Sequence, residues 1–341
     1  QTSNKGIEFA LQGVLVKTRD WNVTAGFNIN FNRGKVDKLA DNVTGLYGTE
    51  WATSSTFPKS DYVLKEGRPV GLVRGLTADG FYTTDDFTYE NGVYTLKEGV
   101  ADVSSAVFPN YHLHNGMNER PAGQLAYPGM AKFKDLNDDG IINDDDVDVI
   151  GDMTPVHTGG FNINATYKNF DLGLYFNWSY GNEIYNVNKL AALYGYKEGA
   201  VYENKLSIVK DCYKIYDVVN GELVALTTPE QLNAANANAK LPLAYSENGY
   251  VSTLGIEDGS YLRLNTLTLG YTLPKSMLQK AGISNLRVYG SIYNVFTITG
   301  YSGIDAEVST STSTKTYPQL GMDWGTYPRA RSFVLGVNLS F

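Results

Sequence analysis

The run from Asp135 to Asp146 carries the sharpest chemistry in the chain. Asp135, Asn137 and Asp139 place side-chain oxygens at its first, third and fifth positions, Gly140 permits a turn at the sixth, the Ile141 carbonyl stands at the seventh, and Asp146 closes the run. That order matches a loop that wraps a hard, oxygen-seeking cation. Calcium is the expected ion, with Asp135, Asn137, Asp139, Ile141 and Asp146 as ligands; magnesium fits less well because it keeps several of its waters. The closing residue of such loops is usually Glu, and Asp146 reaches less far. No flanking helix pair is evident, so the loop reads as a structural ion site and not an EF-hand sensor. The competing reading is an acidic surface loop that holds nothing.

Other constellations offer less. His112 and His114 could share a metal across one strand face, but no Cys, Asp or Glu at ligand spacing completes a site, which favours a solvated loop pair. His157 stands alone before a strand and is expected to pack or cap. Asp85-Asp86 and Asp144-Asp145 are chain neighbours that point to opposite faces of an extended backbone, so they do not make the paired carboxylates of a glycosidase. Cys212 is the only cysteine. It has no disulfide partner in the chain and reads as an inert loop thiol. There is no glycine-rich phosphate loop, and a net charge of −8 argues against nucleic acid. Nothing points to an enzyme.

The elements that position these residues follow from alternation. Phe333, Leu335, Val337, Leu339 and Phe341 form an apolar row against Ser332, Gly336, Asn338 and Ser340, with Val334 the one exception. Trp21, Val23, Ala25, Phe27, Ile29 and Phe31 do the same against Asn, Thr and Gly. A period of two is a strand with one greasy and one wet face. Strands are expected at about 5–18, 21–33, 158–168, 171–181, 261–273, 286–296 and 331–341. A tight turn lies at Asn169 to Asp171, a bulge near Asn265, and a stop at Pro274. Between 34 and 157 the pattern breaks into a loop-rich stretch with one strand pair around Gly71 to Tyr82. In the polar excursion at 186–258, Thr228-Pro229-Glu230 caps a short helix running through Gln231 to Lys240.

Strands of about 10 to 13 residues suit a tilted crossing of a ~30 Å hydrocarbon layer. No apolar run reaches the ~18 residues of a spanning helix, which leaves a closed barrel as the way across. A soluble β-sandwich also alternates. The polar rows here are Asn, Thr, Ser and Gly with few Lys or Glu, and short turns at one end oppose long connections at the other, as in outer-membrane barrels. Trp21, Trp178 and Tyr180 near strand ends fit an interfacial girdle.

Several segments, in order, resemble SusC-like (SusC/RagA) TonB-dependent outer-membrane transporters: Asn4 to Glu8, Glu66 to Gly71, Ala78 to Tyr82 and Lys134 to Gly140 in the first half. Tyr261 to Asn265, Leu269 to Pro274, Asn294 to Phe296, Tyr301 to Glu307 and Tyr327-Pro328-Arg329 follow in the second. Ala306 departs from the pattern, where the family usually has proline. The resemblance implies an all-β fold, the C-terminal part (1–341) of a 22-stranded antiparallel transmembrane barrel with long extracellular loops, one of them 186–258. It implies TonB-driven import of oligosaccharides or peptides across the bacterial outer membrane, with a SusD-like surface lipoprotein as lid. The family's plug and N-terminal domain have no counterpart here, and the chain opens at Gln1 with neither Met nor export signal. Unpaired sheet edges in lipid cost several kcal/mol per orphaned group, so the remaining part of the same transporter is an expected partner. The alternative from another class is a secreted, calcium-stabilised, β-rich carbohydrate-binding protein presenting Trp51 and loop tyrosines to sugar.

Overall fold

A computed structural model describes residues 1–108, 120–193, 206–244, 249–279, 282–310 and 319–341. His112 and His114 lie outside the described residues. The alternating segments become seven strands: β1 (Thr2–Lys17), β2 (Trp21–Val36), β3 (His157–Tyr167), β4 (Phe170–Tyr180), β5 (Tyr261–Thr272), β6 (Asn285–Thr299) and β7 (Ser332–Ser340). Each pairs antiparallel with the next in chain order, making one sheet. The bounds match the sequence expectation closely, and the bulge at Asn265 appears as a register shift between Leu264 and Thr266.

Register turns seven separate stripes into one apolar belt. Leu11 faces Phe27, Phe27 faces Phe161, and Phe161 faces Phe176. Beyond them Leu174 faces Leu267, Leu267 faces Ile292, and Ile292 faces Phe333. Directly opposed residues share a face, so all of these point the same way. The Asn265 bulge is what keeps Leu262 and Leu264 on the same side as Leu267 and Leu269; without it half of β5 would present its polar side chains to the belt. Among the described residues nothing covers this face: Phe333 is 71% exposed and Leu335 88%.

Aromatic rings edge the belt. Toward one rim Trp21 packs on Tyr167 with centroids 4.4 Å apart, and Phe170 on Tyr271 at 4.7 Å. Toward the other, Phe31 meets His157 at 5.4 Å, and His157 stacks on Tyr180 at 5.0 Å. Gly159 belongs here because a Cβ would collide with the Trp178 ring, which lies across it to stack on Phe27. From Trp21 to Phe31 is about 33 Å along an extended strand, or ~25 Å once tilted, the height of an outer-membrane apolar band.

The turns at one end are short and stitched together. Residues 18–20 join β1 to β2, and Lys168-Asn169 joins β3 to β4 with Lys168 left-handed at φ 52°. Lys168 N–H donates to the Asp20 carbonyl at 2.8 Å, and Asn169 Nδ2 to the Thr272 carbonyl at 2.6 Å. At the opposite end run three long excursions, 37–156, 181–260 and 300–331.

The first excursion is more ordered than its broken pattern suggests. Leu72–Leu76 and Ala78–Phe81 are strands, but they do not pair with each other. Leu72–Leu76 lies between Tyr62–Leu64 and Val147–Asp152, while Ala78–Phe81 pairs with Ala131–Phe133. Tyr82, Tyr94, Tyr127 and Phe133 form its core together with Leu232 and Tyr250 of the second excursion. Leu232 sits on the helix Pro229–Asn236, whose cap is the expected Thr228 with Gln231 bonding back. That helix stops short of Lys240. Asn236 is pinned sideways there, its side chain donating to the Lys214 carbonyl at 2.8 Å and accepting from Lys214 N–H at 2.6 Å.

Candidate functional site

The polar face ends, on the long-connection side, in a register row of Thr158, Ser179, Tyr261 and Thr299. Above it is a cavity of about 490 Å³ that also draws Asn182 from the second excursion and Glu307 and Arg329 from the third. Hydroxyl, amide and aromatic groups line it beside apolar Met153, Ile184, Val308 and Leu320. Such a lining can hold a polar, hydrogen-bonding guest, and it contains no nucleophile poised beside a base.

One wall is a closed ring of charges. Arg263, on β5, is 2% exposed. Its Nη2 donates to Asp305, its Nη1 to Glu307 at 3.0 Å and its Nε to Thr297 Oγ1 at 3.0 Å. Arg329 completes the ring, with Nη1 2.9 Å from Glu307 and Nε 3.3 Å from the far oxygen of Asp305. Each carboxylate thus meets both guanidinium groups. The arrangement offsets the desolvation that an unpaired buried charge would suffer. It also gathers three separate sequence motifs, those around Arg263, Asp305 and Arg329, at one place.

A further tie joins the second excursion to the third, and another closes the third on itself. Glu257 accepts from Ser302 N–H and Oγ, each at 2.9 Å, from Asn186 Nδ2 at 3.1 Å, and pairs with Lys189 at 3.2 Å. Burial alone would raise the Glu257 carboxyl, but the Ser302 donors and the Lys189 ammonium outweigh it and hold it below its ordinary value. Tyr301 donates its hydroxyl to Asp323 at 2.6 Å; burial first, then that carboxylate, push the phenol far above its usual range.

The acidic loop is folded on itself. Asp138 and Gly140 are left-handed at φ 58° and 82°, which turns the chain back. Asp135 accepts from Asp139 N–H at 3.2 Å and Gly140 N–H at 2.7 Å, and Asp139 from Ile141 N–H at 2.9 Å. Asp146 is fully buried, its two oxygens taken by Leu136 N–H at 2.7 Å and Asn143 N–H at 2.8 Å. Asp135, Asn137 and Asp139 therefore share an exposed turn while Asp146 faces inward. Among the described residues no three His, Cys, Asp or Glu side chains converge as metal ligands.

The remaining sequence candidates are structural. His157 accepts from Trp178 Nε1 at 3.1 Å and packs among rings. Asp86 caps Thr83 and pairs with Lys132 at 2.6 Å. Cys212 is buried, and that burial, with Asp211 nearby, pushes its thiol up to about 11, so it is unreactive at neutral pH.

Among known proteins the chain has clear relatives. No family model matches the chain. It is 29% identical over 346 residues to TonB-dependent receptor P3 of Formosa agariphila, an alignment spanning 100% of this chain and 29% of that protein. To TonB-dependent receptor SusC of Bacteroides thetaiotaomicron it is 26% identical, across 99% of this chain and 26% of the other. The chain is a relative of the SusC-like TonB-dependent receptors. Its fold agrees. It superposes over its whole length on 29% of a chain of the RagAB peptide importer in the open-open state, with a TM-score of 0.64 and 21% identity, and on the closed-closed state with a TM-score of 0.66. The seven strands thus match a stretch of barrel wall in those chains, and the chain spans between a quarter and a third of the length of these relatives.

Within the seven-strand sheet, sequence reasoning missed the charge ring. Each arginine lies 22 to 44 residues from the carboxylates it pairs with, beyond the reach of any local pattern. The available signal was Arg263 itself, a charge on a strand whose neighbours are otherwise apolar or uncharged.

Proposed function

We propose that this chain forms a wall of a TonB-dependent importer in a bacterial outer membrane, with its short turns in the periplasm and its three excursions outside. The rest of the same transporter would close the barrel, TonB would supply the energy, and a SusD-like lipoprotein would cover the excursions. The cargo is an oligosaccharide or a peptide. The observation that carries this reading is the unbroken apolar belt, edged by rings on both sides and left bare among the described residues. A secreted sugar-binding protein has no use for such a surface. Fractionation of cells producing the intact receptor tests it: the protein is expected in outer-membrane vesicles and to need detergent for a monodisperse state. Recovery as a soluble species without detergent would refute the reading.

We also propose that the loop 135–146 takes up calcium. Its donors suit a hard cation, and binding would have Asp135 and Asp139 exchange backbone N–H bonds for the ion, beside Asn137 and the Ile141 carbonyl. Asp146 would contribute mainly by holding the loop's base.

A further inference from the structure

Arg74 is half-buried on the strand Leu72–Leu76. Its Nη1 donates to Ser60 Oγ at 2.8 Å, and its guanidinium lies 4.8 Å from the centre of the Tyr47 ring. Unlike Arg263, it has no carboxylate in ion-pair contact among the described residues, in a chain with 36 acidic against 28 basic side chains. A guanidinium held by a hydroxyl and a ring keeps donors free for an incoming anion. Those donors border a cavity of about 420 Å³, which exposed Lys59 also lines. Asp144 is the acidic residue on that wall; it lies within electrostatic reach of Arg74 without forming an ion pair with it among the described residues, so two cations face one carboxylate. The cavity is therefore net positive inside a net negative chain.

The rest of the lining names the kind of anion. Ser54, Ser55 and Ser105 line the same space, beside Ser60, whose hydroxyl holds Arg74, and Thr56, whose hydroxyl is turned to Thr53. Each hydroxyl can donate and accept, which matches the vicinal hydroxyls of a sugar. A peptide's terminal carboxylate would use the cations and leave most of these groups idle.

We propose that this cavity is a subsite for an acidic saccharide, whose carboxylate or sulfate pairs with Arg74 and Lys59 while its hydroxyls bond the serine wall. This narrows the import reading to one class of cargo and rests on it only to that extent.

The test is calorimetric titration of the intact, detergent-purified receptor with three probes: a glucuronate-containing disaccharide, its carboxyl-reduced neutral counterpart, and a tripeptide with a free C-terminus. The acidic disaccharide should bind about tenfold or more tightly than the other two, the weight of one charge-assisted pair. Arg74→Gln should erase that difference. Lys59→Gln, at the exposed rim where folding is not at stake, should reduce it about threefold or more, and added salt should weaken binding of the acidic probe alone. Equal binding of the neutral sugar, or an unchanged preference in both variants, overturns the proposal; tightest binding of the tripeptide reassigns the cavity to peptides. TonB-dependent uptake of labelled neutral oligosaccharide is read separately. If it persists while the acidic preference is absent, the subsite fails and the import reading survives; if no cargo is taken up, the import reading fails on its own.

Discussion

Arg263 is the side chain on which the site most depends. Replacing it with alanine leaves Asp305 buried without its inner partner, a loss of about 3–5 kcal/mol. Arg329→Ala should cost ~1 kcal/mol or less, since that guanidinium is 47% exposed and screened by water. Urea titrations of both variants in detergent check the ordering; equal losses would mean that the ring does not hold the third excursion. The calcium proposal is also decided at single residues. Calorimetry with calcium chloride should give binding that Asp139→Asn removes, and no heat of binding at millimolar calcium would contradict it. Asp146→Ala should destabilise by about 1–3 kcal/mol with or without calcium, because two part-buried N–H groups lose their acceptor. The liganding pattern of Asp135 to Asp146 was legible as a spacing. The inward turn of Asp146 was not, because it depends on amide groups at Leu136 and Asn143 that spacing does not specify.

Strand by strand, the apolar face should tolerate no charge. Phe27→Arg is expected to cost about 2–4 kcal/mol and Asn28→Arg far less, since one side chain meets lipid and the other the polar interior. Asn338 is a poorer control than Asn28, because Arg287 lies directly opposite it. Refolding equilibria in lipid vesicles measure the pair, and equal penalties would sink the assignment of faces. Between excursions, the Glu257 tie titrates. A carboxyl held below its ordinary value stabilises the fold above about pH 4.3 and loses that contribution as pH falls through its lowered value. Hydrogen exchange at Ser302 should thus quicken below about pH 4, and Glu257→Gln should flatten the change. The seven long strands, the Asn265 bulge and the Thr228 cap could be read from sequence because each is a local pattern. The small sheets of 37–156 could not; their strands are two to six residues long and are defined by partners far away in the chain, as Leu72–Leu76 is by Val147–Asp152.

At the scale of the whole molecule, the sheet ends in two edges, β1 and β7, each paired on one side only. On the proposed reading, the belt, the rings at its rims and the contrast between stitched turns and long excursions describe one crossing of a membrane with a fixed sense. Labelling from outside intact cells tests that sense most directly. Cysteines are placed singly, with Cys212→Ser as background, at Asn220 in the second excursion's hairpin turn and at Lys168 in the tight turn between β3 and β4. A membrane-impermeant maleimide should modify Asn220→Cys in intact cells and Lys168→Cys only after the outer membrane is permeabilised. Equal labelling of both in intact cells, or the reverse order, would contradict the account.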